Sequence, residues 1–96
     1  MNANAMEADY FTEGALVGVL TAEPLDRVLD YRAPEAGCEI GAFVEVPLGP
    51  RRVIGVVWGR GQGGYDPAKI RKIANVVDVA PMRPEMRQFL ERAAQY

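Results

Sequence analysis

From Gly14 onward, short β-branched runs alternate with turn residues, and that pattern predicts a series of short strands. Ala15-Leu16-Val17-Gly18-Val19-Leu20-Thr21 reads as a buried strand closed by Pro24. Val28-Leu29-Asp30-Tyr31-Arg32 reads as the next, ending at Pro34, because proline has no N–H to give to a ladder. Pro34-Glu35-Ala36-Gly37 makes a turn, after which Ala42, Val44 and Val46 alternate with Phe43 and Glu45 up to Pro47 as a third strand. Arg51 to Gly59 is the fourth, with Gly49-Pro50 as the hairpin turn before it. Gly55, in its middle, marks a bulge or the close approach of another backbone.

The stretch from Gly59 to Gly64 predicts a flexible loop, and Asp66-Pro67 opens a turn or a single helical turn. Strand character returns from Lys72 to Val79 through Ile73, Val76, Val77 and Val79. The period then lengthens: Met86, Phe89, Leu90, Ala93 and Ala94 fall on one face of a helix whose first turn suits Pro84. The fold class expected is mainly β, a small OB-like barrel or curled sheet of about five strands with a C-terminal α-helix. Residues 1–13 lack apolar periodicity and read as a disordered leader, which leaves one domain over residues 14–96. Tyr96 comes after the helix with no stop signal, so the expectation is an N-terminal fragment whose apolar helix face docks onto a later part of a longer protein.

Composition changes this picture little. With 96 residues, half of them apolar and a quarter charged, the chain fits one modest core. It has no apolar run of the ~20 residues that a membrane span requires, which points to a cytoplasmic protein with no membrane partner. Cys38 is the one cysteine and reads as a packed thiol. Charge is more informative, because the net −2 is unevenly divided. Residues 1–45 set nine acidic side chains against Arg27 and Arg32, whereas residues 46–96 set nine basic ones against Asp66, Asp78, Glu85 and Glu91. Arg51, Arg52, Arg60, Lys69, Arg71 and Lys72 form the densest basic stretch, suited either to phosphates or to a solvated loop edge.

Catalytic chemistry is short of parts. The chain has no histidine and no serine, so neither a Ser/His triad nor a Cys/His zinc site can be built. Gly59, Gly61 and Gly64 match G-x-G-x-x-G, but no βαβ unit surrounds them, so they read as a mobile hairpin loop. Carboxylates at Glu23, Asp26, Asp30, Glu35 and Glu39 leave a paired-acid site formally open, although a domain this small rarely supplies the cleft. A binding module is the class that remains.

The order of several short segments is more specific than any one of them. Pro24-Leu25-Asp26-Arg27-Val28-Leu29-Asp30-Tyr31 is followed by Pro34-Glu35, Gly37 and Val44-Glu45-Val46-Pro47-Leu48-Gly49. Arg52-Val53-Ile54-Gly55-Val56-Val57, Val76-Val77-Asp78, Pro81 and the final helix continue the series. From about Gly14 to Tyr96 the chain resembles the N-terminal 3′ DNA-binding domain of the primosomal protein N-prime (PriA) replication-restart helicase family. The resemblance implies a non-catalytic module that holds the free 3′-OH end of a nascent strand at arrested replication forks, for replication restart and primosome assembly.

Carried over by position, it implies 3′-end contacts from Leu29, Asp30, Tyr31 and Gly49, with Asp30 accepting the terminal hydroxyl's hydrogen bond. Leu29 stands where many relatives carry an aromatic, so apolar contact replaces base stacking, while Tyr31 projects to the other face of a strand. The pocket cation falls at Arg71 by counting back from Asp78, or at Lys72 with a one-residue gap, and Arg51 and Arg52 are further phosphate contacts. Trp58 offers a stacking surface in principle but reads as core. The partners implied are DNA with a free 3′ end, forked DNA, the helicase's other domains, primosome proteins and single-strand-binding protein, in a bacterial cytoplasm with nucleoid association. No cofactor is implied for this chain: ATP, Mg and Zn belong to the rest of a full-length, ATP-dependent 3′-5′ helicase. The alternative is a protein-interaction or structural module that docks through its C-terminal helix.

Overall fold

A computed structural model describes residues 10–21, 28–64 and 66–93. In chain order the strands are β1 (Tyr10–Phe11), β2 (Leu16–Thr21), β3 (Val28–Arg32), β4 (Cys38–Glu39), β5 (Phe43–Leu48), β6 (Arg51–Arg60) and β7 (Asn75–Val76). A 3-10 turn at Pro67–Lys69 precedes β7, and the helix α1 spans Pro84–Ala93. Five strands form one antiparallel sheet in the order β3-β2-β6-β5-β7, while β1 and β4 pair separately. The sheet is curled rather than closed into a barrel, the second of the two expected forms.

The β-branched runs explain the core. Val17 and Val19 of β2, Val44 and Val46 of β5 and Val57 of β6 are fully buried on one face, with Tyr31, Cys38 and Ile73 among their neighbours. Alternation along each strand puts these side chains on a single side. Between Gly18 and Val19 the β2–β6 register shifts: Gly18 pairs with Gly59 and Val19 with Val57, which leaves Trp58 as the extra residue of a bulge. Trp58 is therefore half-buried and lies outside the core cluster, unlike the core residue expected. Gly55 is a place of close approach, since a Cβ there would meet Val19 Cγ1 at 2.5 Å and the Leu20 carbonyl oxygen at 2.9 Å.

Three expectations need correction. The leader read over residues 1–13 overlaps β1, where Phe11 is buried because its pairing with Cys38 brings it over the core. The strand read over Lys72 to Val79 shrinks to Asn75–Val76. Its physical reason is a crossing path: Arg32 N–H donates to the Arg71 carbonyl and Ile73 N–H to the Arg32 carbonyl, and one residue later Ala74 N–H donates to Glu45. Residues 71–74 thus leave β3 and reach β5, and on the β3 side they make a parallel bridge of Arg32 with Lys72 in place of a longer ladder. Finally, Gly59 to Gly64 is no hairpin loop, because the chain beyond it passes to the edge at β3 instead of returning along β6.

The helix forms as its period predicts, with Asp78 to Arg83 leading into it and Met82 N–H donating to the Gly41 carbonyl. Met86 and Phe89 stand exposed on it, whereas Ala94 lies outside the described residues, as do Glu23, Pro24 and Asp26. No described helix is long and apolar enough to cross a membrane.

Candidate functional site

The crossing segment builds a cavity where β3, the β5–β6 turn and residues 69–71 converge. It encloses about 240 Å³ and is open to solvent. Leu29, Asp30 and Tyr31 form one wall, Pro47, Leu48 and Gly49 a second, and Lys69, Ile70 and Arg71 a third. These nine residues come from three segments far apart in the sequence.

Local chemistry fixes each wall. Tyr31 is buried on the core side of β3, and its hydroxyl donates to the Pro47 carbonyl at 2.7 Å, joining the first wall to the second. Burial raises the Tyr31 hydroxyl above its usual pKa of 10.0, and the nearby Arg71 charge partly offsets that rise. Gly49 adopts a φ of +60° in the turn after β5, a left-handed conformation that glycine takes without a Cβ clash. A Cβ on it would meet nothing within 4 Å, so the space over this wall is open. Arg71 Nη1 donates to the Gly49 carbonyl at 3.0 Å, which holds its guanidinium at the cavity rim while other N–H groups stay exposed. The 3-10 turn is capped by Asp66, whose Oδ1 accepts from Ala68 N–H, and it brings Lys69 to the same rim.

Asp30 is nearly buried, and its carboxylate is held from the loop after β6: Oδ1 accepts Gln62 N–H at 3.0 Å and Oδ2 accepts Gly63 N–H at 2.8 Å. The loop expected to be mobile therefore has its amides bonded, to an aspartate 32 and 33 residues upstream. Leu29 and Tyr31 share one side of β3, both against the core, so Tyr31 does not project away from Leu29. A two-residue step along a strand returns to the same face.

The structure thus gathers Leu29, Asp30, Tyr31, Gly49 and Arg71 around one cavity and leaves Lys72 out of it. Lys72 is exposed, opposite Arg32 in the parallel bridge whose hydrogen bonds its neighbours Arg71 and Ile73 make. Arg51 and Arg52 flank the turn on β6, exposed and outside the cavity lining, and Arg52 Nη1 lies 3.7 Å from Glu45 Oε1. Ile70, Pro47 and Leu48 line the cavity without having been singled out as contacts, and Lys69 had been named only within the basic stretch. Pro47 and Leu48 adjoin Gly49 in the sequence, and Lys69 stands two positions before Arg71, so adjacency was the available signal. Among the described residues no group of three or more His, Cys, Asp or Glu side chains is placed to hold a metal ion.

A curled antiparallel sheet carrying a small, open, cation-rimmed cavity has the features of a binding module. The match of known families is specific on this point: the model of the 3′DNA-binding domain (3′BD) of PriA covers residues 18–96, and the chain belongs to that family. It is a DNA-binding domain, a binding rather than a catalytic unit. No curated protein matches the chain.

Proposed function

We propose that the cavity holds the terminal nucleotide of a DNA strand with a free 3′-hydroxyl, and that the domain serves replication restart by reading nascent 3′ ends at arrested forks. The observation that carries this reading is the meeting of a carboxylate residue, an apolar wall and an arginine in one small cavity of a 3′ DNA-binding family member. At about 240 Å³ the space lies below the ~300–1,000 Å³ of most small-molecule sites, which suits part of one nucleotide better than a whole cofactor. Leu29 and Tyr31 supply apolar surface to a sugar or base face, and Arg71 and Lys69 supply charge to a phosphate. Asp30 accepts a hydrogen bond from the hydroxyl, while a 3′-phosphate brings only like charge and acceptor oxygens. None of these contacts reads a base edge, so binding tolerates any terminal base.

The test compares oligonucleotides ending in 3′-OH and 3′-phosphate across a salt series. Preference for the hydroxyl is expected, with Arg71→Ala weakening binding and lowering the salt slope by about one counterion. Equal affinity for the two ends removes the hydroxyl-reading role. A second reading, a module that docks to protein through α1, has Met86 and Phe89 in its favour, since Phe89 is 64% exposed. Oligonucleotide binding that is absent even at low salt, with association lost in Phe89→Ser, would favour it.

A further inference from the structure

Asp30 makes contacts that its place in β3 does not require. Three successive amides dock the loop after β6 against the sheet: Gly61 N–H donates to the Leu16 carbonyl at 3.0 Å, and the Gln62 and Gly63 amides take one Asp30 oxygen each. Gly63 and Gly64 have φ of +77° and +90°, so the chain turns through the left-handed region directly after the Gln62 amide. Gly61 must lack a side chain, because a Cβ there would lie 2.9 Å from Leu16 Cδ2 and 3.1 Å from Asp30 Cγ. The match to G-x-G-x-x-G, empty as a cofactor fingerprint, is thereby accounted for in part: one of its three glycines, Gly61, serves the approach to Asp30.

We propose that residues 61–63 are a positioning element for 3′-end recognition, fixing the Asp30 carboxylate so that its remaining lone pairs meet the terminal hydroxyl. This inference rests on the cavity's being the 3′-end site. An ionised carboxylate offers about four acceptor sites, so two amide bonds leave each oxygen able to accept another donor. Bonds from N–H to a carboxylate are stronger than neutral ones, and a side chain held in place before the ligand arrives loses less entropy on binding. Fixing the carboxylate also sharpens rejection. An untethered aspartate can swing away from a 3′-phosphate, whereas one gripped at both oxygens keeps its charge against the intruder.

The experiment measures the ratio of affinities for 3′-OH and 3′-phosphate oligonucleotides in three variants of the 96-residue chain. Gly61→Val drives a side chain into Leu16 and Asp30, and Gln62→Pro deletes the amide that bonds Oδ1. In both, the ratio is expected to fall about tenfold while salt-dependent binding to DNA persists. Gly59→Ala, where a Cβ meets nothing within 4 Å, keeps the parent ratio. If Gly61→Val does not fold, Gln62→Pro carries the test. A parent chain that prefers the hydroxyl, with both variants folded and the ratio unchanged, overturns the positioning role and leaves the 3′-end reading intact. A parent chain without preference overturns both.

Discussion

Asp30 and Arg71 show how a residue's neighbours give it a use. Neither is unusual in the sequence, and the order of motifs around them is what drew attention to Asp30. Which of two adjacent cations reaches the cavity was not legible, because counting back from Asp78 gave Arg71 but a one-residue gap in the preceding loop gave Lys72. Geometry decides it: the Arg71 side chain donates to the Gly49 carbonyl and lines the cavity, and Lys72 does not line it. Two buried groups also give the domain a pH signature. Burial pushes the Cys38 thiol from 9.0 up to about 11, and it raises the Tyr31 hydroxyl above 10.0. Each group holds its proton more tightly folded than unfolded, so the Cys38 contribution is full below pH 9 and is lost as pH climbs through about 11, while that of Tyr31 is full below pH 10 and is lost above it. Thermal unfolding midpoints should therefore fall through that alkaline window, and Cys38→Ala should make the fall shallower. An equally steep fall in the variant would remove the thiol from the account.

At the scale of elements, alternation of valines and the placement of prolines and glycines made β2, β3, β5 and β6 readable to within about two residues at each end. Short pairings were not readable. β1 and β7 have two residues each, too few for a period to register, and they exist because neighbouring chain offers an edge. The crossing at residues 71–74 was equally hidden, since Ile73 together with Val76, Val77 and Val79 looks like a strand although residues 71–74 bond to β3 and β5 in turn. Its anchor is Ile73, which is 1% exposed and sits between the two commitments. Ile73→Ala is expected to cost about 2–5 kcal/mol, the range for truncating a buried isoleucine. Denaturant unfolding measures it, and a loss below about 1 kcal/mol would mean that the crossing is held by its backbone bonds alone.

The whole molecule gains its cavity from closure of sequence distance. Val44 and Val46 in the core were foreseeable from pattern, but the contact of the loop amides with Asp30 was not, because no local signal links positions 32 and 33 residues apart. The family resemblance reached Leu29, Asp30, Tyr31, Gly49 and Arg71 without that geometry, and it could not reach Lys69 or the amides of residues 61–63.

The crossing segment also couples recognition to folding. Arg71 stands two residues before Ile73, so any opening that frees Ile73 from the core also withdraws a cation from the cavity rim. With the cavity as the proposed 3′-end site, nucleotide and folded state are thermodynamically linked, and a bound end would act as a clasp on the sheet. A 3′-OH oligonucleotide at about a hundredfold excess over its dissociation constant should add about 2.7 kcal/mol to stability. A melting curve recorded against oligonucleotide concentration becomes a binding isotherm, readable without a label. A midpoint that stays flat while binding is seen by another method would show that the cavity survives unfolding of the crossing.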